Sequence, residues 1–430
     1  MKFALFLTII ACVTAELKIN DFFVGTSTSS YQIEGHCPGE SIWDVFTAER
    51  SLQPVGEACN HYELYKDDIK LLYDLNLKHY RFSISWTRIM PFKWNEINPE
   101  GIKFYHNILD ELIKYNITPY VTMYHWDLPN YIQKDWGGWA NSSISKLFVD
   151  YSKILFEEYN SKVKFWITIN EPLTTSLQGY ETGTFAPGII SQTQKYLSAH
   201  NQLRAHIFCA KYYKENYPNQ GKIGIALNTN WYEPKDVRFP KRAEEEMLKN
   251  FGWFADPLFL GDYPDIIKPY TLSFTSEEKL MLTASLDFLG LNHYTTYYID
   301  NKGEISIDPL WIKGASSWLY DVSWGMNKIL NYINSRYGTI PIFITECGFS
   351  MKHDSLLDTD RINYLTGYLY EAVNCNENGI NVKGFFIWSF LDNFEWASGY
   401  TEKFGIVHVN RTNWIRTPKQ SALLISDIIT

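Results

Sequence analysis

Eight short runs rich in β-branched and aromatic residues recur along this chain at 22–26, 79–85, 119–124, 163–169, 222–228, 287–292, 341–346 and 384–389. Between them, apolar residues return every three to four positions over 62–75, 101–115, 143–159, 196–217, 239–260, 323–337 and 358–378, which is helical spacing. Strands that alternate with helices lie parallel, because each return to the sheet runs through a helix, and eight such units close on themselves. The expected architecture is therefore α/β, a single (β/α)8 TIM barrel with loop insertions. An open doubly wound sheet fits less well. The segment after the first run, Gly25-Thr-Ser-Thr-Ser-Ser, lacks the second and third glycines of a dinucleotide fingerprint.

Active sites of closed parallel barrels sit at the C-terminal ends of the strands. Four runs finish on or beside polar or aromatic residues: Asn170-Glu171, Asn292-His293-Tyr294, Glu346 and Trp388. These residues should converge on one mouth. Glu171, in Thr-Ile-Asn-Glu-Pro at 168–172, would leave the fourth strand, and Glu346, in Ile-Thr-Glu-Cys-Gly at 344–348, the seventh. Two carboxylates delivered this way suit glycoside hydrolysis. One protonates the leaving oxygen while the other stays ionised and attacks or supports the anomeric carbon. A Glu-Pro pair can also simply open a helix, with its carboxylate near the positive end of the dipole, so the rest of the chain must decide.

The 430 residues are 45% hydrophobic, without a Pro/Gly/Ser-rich linker or charge block, and their net charge of −9 argues against a nucleic-acid partner. Residues 1–15 combine Lys2, an apolar stretch and small residues before Glu16, which reads as a cleaved secretory signal. Residues 16–430 then form the single catalytic domain. No later stretch is long and apolar enough to span a bilayer, so the expectation is a secreted protein with no membrane partner. Export fits three Asn-X-Ser/Thr acceptors, Asn116, Asn141 and Asn410. Five cysteines remain after the signal, Cys37, Cys59, Cys209, Cys347 and Cys375, too few for a disulfide scaffold. They read as buried thiols with at most one bridge or so. Neither CxxC nor HExxH occurs, and no metal or other cofactor is expected. The aromatic fraction of 17%, with 15 Trp, reflects core packing first and sugar stacking second.

Further motifs run the length of the mature chain: Gly25-Thr-Ser-Thr-Ser-Ser-Tyr-Gln-Ile-Glu-Gly35, Arg81-Phe-Ser-Ile-Ser-Trp86, His125-Trp-Asp-Leu-Pro129, Asn170-Glu-Pro172 and Asn292-His-Tyr-Thr295. Thr345-Glu346, Trp388-Ser-Phe-Leu-Asp-Asn-Phe-Glu-Trp396 and Arg416-Thr-Pro-Lys419 complete the series. In this order they resemble the glycoside hydrolase family 1 β-glucosidases. The resemblance implies a retaining mechanism on small β-glucosides, with carboxyl groups about 5–5.5 Å apart. Glu346 would form the glycosyl-enzyme, and Glu171 would donate a proton and then activate water. Arg81 and Tyr294 would flank Glu346 and favour its ionised form, while repulsion from Glu346 keeps Glu171 protonated. The same resemblance gives sugar contacts to Gln32, His125, Asn170, Asn292, Trp388, Glu395 and Trp396, with Asn170 on the 2-hydroxyl. A carboxylate at Glu395 would repel a 6-phosphate. Trp318 and Phe404 would line the leaving-group side, although Trp318 could equally be ordinary helix-entry packing.

Two departures stand out. Cys347 occupies the place of the family's asparagine beside the nucleophile, and it is expected to be a buried, unreactive thiol on the opposite strand face. The stretch between Thr47 and Tyr62 is short for the family. Alternatives to β-glucoside hydrolysis are a thioglucosidase (myrosinase), a transglycosylase and a non-catalytic sugar-binding relative. Glu171 favours O-glycosides, because plant thioglucosidases of this family carry Gln there. A homodimer is compatible with the sequence.

Overall fold

In the computed structural model each of eight strands pairs in parallel with the next, and the eighth returns to the first, closing the barrel. The structure describes residues 22–429, so the expected signal at 1–15 lies outside the described residues. The strands are β1 (Phe23–Ser27), β2 (His79–Ser83), β3 (Thr118–Tyr124), β4 (Phe165–Asn170), β5 (Lys222–Asn228), β6 (Phe288–Asn292), β7 (Ile342–Cys347) and β8 (Val382–Trp388). All eight expected runs are strands, and the doubly wound alternative falls with the closed sheet. The helices that follow them are α1 (His61–Asp74), α2 (Pro99–Lys114), α3 (Ile144–Tyr159), α4 (Gln194–Asn216), α5 (Ser276–Ala284), α6 (Trp324–Tyr337), α7 (Thr359–Glu377) and α8 (Gln420–Ile429).

Local chemistry explains the helix starts. Pro99 opens α2 after Asn98, whose side chain accepts the Glu100 amide, and Thr275 and Glu278 form a capping box on α5. Burial of one face does the rest: α3 turns Leu147, Phe148, Tyr151, Leu155, Phe156 and Tyr159 toward the sheet. The interval 239–260 departs from the expected single helix. It forms two α segments, Lys241–Met247 and Trp253–Leu260, joined by a π turn at Leu248–Gly252. Short elements such as Ile42–Glu49 and the sheet formed by Trp231–Pro234, Thr296–Ile299 and Ile305–Ser306 escape a reading based on long periodicity.

The barrel interior has two halves. Its lower half is an apolar plug of Tyr120, Ile167, Ala226, Phe288, Phe343 and Phe386, against which Phe23 and Phe165 pack. Above it the interior becomes polar, and two register shifts set that change. Phe343 belongs to the plug, so strict alternation along β7 would turn Glu346 outward and Cys347 inward. Instead the pairing with β6 slips between Ile344 and Glu346. Glu346 consequently faces the mouth, and Cys347 turns outward toward Tyr364 on α7. On β4, Ile167 belongs to the plug, and the pairing with β5 slips between Ile167 and Asn170, bringing Asn170 inward to Arg81. Gly290 on β6 leaves the room this needs. A β-carbon there would stand 3.0 Å from the side chain of Thr345.

The five cysteines are all free, so the one bridge allowed by the sequence does not form. Four of them are buried, and Cys37 alone is exposed.

Candidate active site

Glu171 and Glu346 line one cavity of about 320 Å³ at the C-terminal mouth of the barrel. Glu346 follows the β7 register shift and is 4% exposed. Arg81 Nη1 donates to its Oε1 at 2.6 Å and Tyr294 Oη to its Oε2 at 2.8 Å. A buried guanidinium and a phenol donor thus stabilise negative charge on both oxygens. Arg81 is itself anchored, through Nε to Thr122 Oγ1 at 3.1 Å and Nη2 to Asn170 Oδ1 at 2.7 Å.

Glu171 sits directly before Pro172, which opens the turn after β4, and its backbone is left-handed with φ of 47°. Trp126 and Trp396, also on the cavity wall, have φ of 77° and 47°. Bulky residues rarely adopt this region, and such strain gathers at sites that require one side-chain direction. Asn292 Nδ2 donates to Glu171 Oε1, and Thr174 Oγ1 to Oε2, each at 2.8 Å. The Glu171 carboxyl is pushed up to about 7, first by burial and second by the charge of Glu346. The expected direction holds, but burial outranks the repulsion to which the sequence pointed.

The remaining expected sugar contacts divide into two groups. His125, Asn292, Trp388, Glu395 and Trp396 line the cavity directly. Gln32 and Asn170 act from behind it. Gln32 donates to Asn393 Oδ1 and the Phe394 carbonyl, holding the loop that carries Glu395 and Trp396. Asn170 Oδ1 accepts from Arg81, which has no acceptor to offer, so the asparagine's Nδ2 must face His125 Nε2, at 3.1 Å. That nitrogen is then an acceptor, and the proton of the neutral imidazole sits on Nδ1. Burial and Arg81 hold His125 well below its usual range. His125 Nδ1 and Glu395 Oε2 are buried without a protein partner, one donor and one acceptor offered to a substrate. Burial pushes the Glu395 carboxyl well above its usual range, with Glu402, Glu346 and Glu171 adding to it. Repulsion of a 6-phosphate by Glu395 is therefore weaker than the sequence suggested. What disfavours a phosphate is that, among the described residues, no lysine or arginine lines the cavity.

Trp318 is 42% exposed, meets Tyr294 edge-on at 5.5 Å and lines the outer cavity with the buried Phe404. This resolves its two readings in favour of the cavity wall. Opposite lie residues the sequence reading missed: Gln178, Asn228, Asn230 and Asn250. Asn228, at the end of β5, had the strand-end signal used for Glu171. Gln178 and Asn250 sit in π turns, Thr175–Gly179 and Leu248–Gly252, which no simple periodicity reveals. Trp126 and Phe185 were missed as wall residues too.

Cys347 is fully buried, as expected. Burial is the first cause that pushes its thiol up, and Asp321, not Glu346, is the carboxylate that adds to it. Asp354, Asp392 and His408 are close enough to share a cation, but Lys419 already bonds Asp392 at 2.7 Å and Lys403 pairs with Asp354 at 3.1 Å. No described helix is long and apolar enough to cross a membrane.

Comparison with known proteins agrees with this geometry. Residues 16–430 match the model of glycosyl hydrolase family 1. The chain is 41% identical to beta-glucosidase 42 of Arabidopsis thaliana, over 93% of this chain and 91% of that protein. It is 38% identical to the mouse (Mus musculus) lactase-like protein, over 95% and 81%. Among solved structures, a rice β-glucosidase mutant in a covalent complex with glucose superposes with a TM-score of 0.92, at 33% identity over 96% of this chain and 98% of that one. An aphid myrosinase gives a TM-score of 0.90, at 36% identity over 96% and 98%. A closed eight-stranded barrel, two buried carboxyls at one mouth and these likenesses over nearly the whole chain lead to one conclusion: the protein is a glycoside hydrolase and belongs to glycosyl hydrolase family 1.

Proposed function

We propose that this retaining β-glucosidase uses Glu346 as nucleophile and Glu171 as general acid and base. The observation that carries the assignment is the contrast between two buried carboxyls on one cavity. Glu346 is bonded on both oxygens by a guanidinium and a phenol, whereas the Glu171 carboxyl is pushed up to about 7. Glu346 attacks the anomeric carbon as the glycosidic C–O bond breaks, and the Glu171 proton passes to the departing oxygen. Glu171, now ionised, takes a proton from water, whose oxygen displaces Glu346 and restores the original configuration. His125 Nδ1 and Glu395 Oε2 are the natural partners for glucose hydroxyls, with Trp388 and Trp396 beside them. A 2-deoxy-2-fluoroglucoside with a dinitrophenolate leaving group tests the nucleophile. The expected result is a stable adduct mapped to Glu346, and an adduct on any other residue would reject the assignment.

The likeness to an aphid myrosinase makes thioglucosides the second substrate class to consider. Glucosinolates carry a sulfate, and the leaving-group side offers amides and aromatics: Gln178, Asn228, Asn230 and Asn250 opposite Trp318 and Phe404. That neutral surface supports uncharged O-glucosides over anionic thioglucosides. Initial rates on a mixed O- and S-glucoside panel decide between them, and faster turnover of a glucosinolate would reverse the order. The same reading includes export as a glycoprotein, supported by the residue 1–15 pattern and by exposed acceptors at Asn116 and Asn141.

A further inference from the structure

Tyr294 carries the phenol that bonds Glu346, yet it lies beyond the end of β6, outside the sheet's hydrogen-bond ladder. Its backbone carbonyl is held in another way. Tyr364 Oη donates to it at 2.6 Å, and Tyr368 Oη donates to it at 2.9 Å. The two tyrosines stand four residues apart on α7, so they share a face. Their rings stack with centroids 4.1 Å apart, and both side chains are fully buried.

Proton accounting fixes the direction of every other bond in this cluster. A phenol has one proton to donate, and both protons are committed to the Tyr294 carbonyl, filling its two lone pairs. Each phenol oxygen can therefore only accept from its remaining neighbour. The Val322 N–H donates to Tyr368 Oη at 3.3 Å. Cys347 Sγ lies 3.6 Å from Tyr364 Oη, and its S–H must be the donor. Cys347 is covalently next to Glu346. The bonds thus close a ring: Cys347 to the Tyr364 hydroxyl, Tyr364 to the Tyr294 carbonyl, the Tyr294 phenol to Glu346, and Glu346 through the backbone to Cys347.

We infer that Tyr364 and Tyr368, joined by the Cys347 thiol, are positioning residues that clamp the Tyr294 backbone and so set the Tyr294–Glu346 bond. The inference rests on Glu346 being the nucleophile. It gives the cysteine beside that residue a purpose, as a hydrogen-bond donor and not as a reactive thiol. None of the three side chains lines the cavity, so each acts through Tyr294. The rival account is that two tyrosines merely fill the space between α7 and the barrel while satisfying a carbonyl.

A double-mutant cycle separates the two accounts. Tyr364→Phe and Tyr368→Phe, singly and together, keep ring and volume. Each is made in the natural chain and in a Tyr294→Phe background, with kcat and KM measured on a dinitrophenyl glucoside and unfolding followed in urea. In the natural chain the paired substitution is expected to lower kcat about tenfold with KM within about twofold, because the bond it loosens acts on the transition state. In the Tyr294→Phe background the same pair should cost less than about twofold, since the phenol it positions is gone. Tyr364→Phe alone runs the same cycle and leaves one phenol on the carbonyl, so the test does not depend on the paired variant folding. Cys347→Ser, which keeps a donor, should hold kcat closer to the natural value than Cys347→Ala does. Equal losses in both backgrounds, or a loss seen only in unfolding, would overturn the clamp. Failure of the underlying assignment is read separately, as turnover surviving in Glu346→Ala.

Discussion

The two halves of the barrel interior occupy equivalent positions on the same eight strands and are stabilised by opposite means. The lower half is a plug of rings, such as Phe343 against Phe288 at 5.1 Å and Tyr120 against Phe165 at 4.4 Å, and packing alone suffices there. The upper half buries Arg81, Asn170, Glu171, Asn292 and Glu346, each bonded to another of the set. A buried charge needs such partners, because burial without them costs several kcal/mol. The comparison teaches that the plug supplies a rigid floor, and that the polar layer can tolerate strained backbone and an acid of raised pKa because the floor holds the strands.

The most direct way to break the comparison is to remove the charge that the upper layer surrounds. Glu346→Ala is expected to lower turnover of aryl β-glucosides by several powers of ten, and added azide should partly rescue it with inverted product. Near-normal activity would remove the functional contrast between the two halves altogether. Glu171→Gln comes next. It should depress hydrolysis of alkyl glucosides far more than that of dinitrophenyl glucosides, on which glycosyl-enzyme should accumulate. Equal losses on both substrates would place the acid elsewhere.

The pH profile sharpens the same point. Glu171 works as an acid while protonated, and its carboxyl is pushed up to about 7. Activity on alkyl glucosides should therefore hold below that pH and fall as pH rises through it, with dinitrophenyl glucosides less affected. A profile that is flat across this range would contradict the assignment. The lower half predicts the reverse behaviour. Phe343→Ala should cost about 3–5 kcal/mol in urea unfolding while leaving kcat of the folded fraction near normal. A large fall in kcat with stability intact would show that the floor takes part in the chemistry. The smallest effect is at Cys347→Asn, whose amide can still donate to Tyr364. Activity should stay within about tenfold, equivalent to about 1.4 kcal/mol in the barrier. Rapid inactivation by a small thiol reagent, abolished in Cys347→Ser, would place this residue inside the cavity and not behind the strand.

Much of the fold could be read before the structure, because long helices and repeated strands write their period into the chain. The π turns could not. They insert a residue into a helical pattern without changing its apolar face, and this hid Gln178 and Asn250 at the cavity wall. Gln32 and Asn170 were assigned to the sugar from motif alone. Their side chains turn out to be bonded to Asn393, Phe394, Arg81 and His125, partners that closure of the barrel selects. Trp318 stayed ambiguous in sequence because a tryptophan at a helix entry and one at a cavity rim have the same local pattern.

By itself the sequence determined the alternation that closes the barrel and the two glutamates at strand ends, since periodicity and residue chemistry are local properties. Only the tertiary structure decided which way those residues face. Strict alternation from Ile167 and Phe343 would turn Asn170 and Glu346 away from the mouth, and the register shifts on β4 and β7 reverse this. The structure also set the charge state of the site. The groups that govern Glu346 and Glu171 come from positions as far as 265 residues apart, as with Arg81 and Glu346, and meet only when the last strand pairs with the first. Electrostatic and hydrogen-bond effects act through space, and the distances that decide them are not written in the order of the chain.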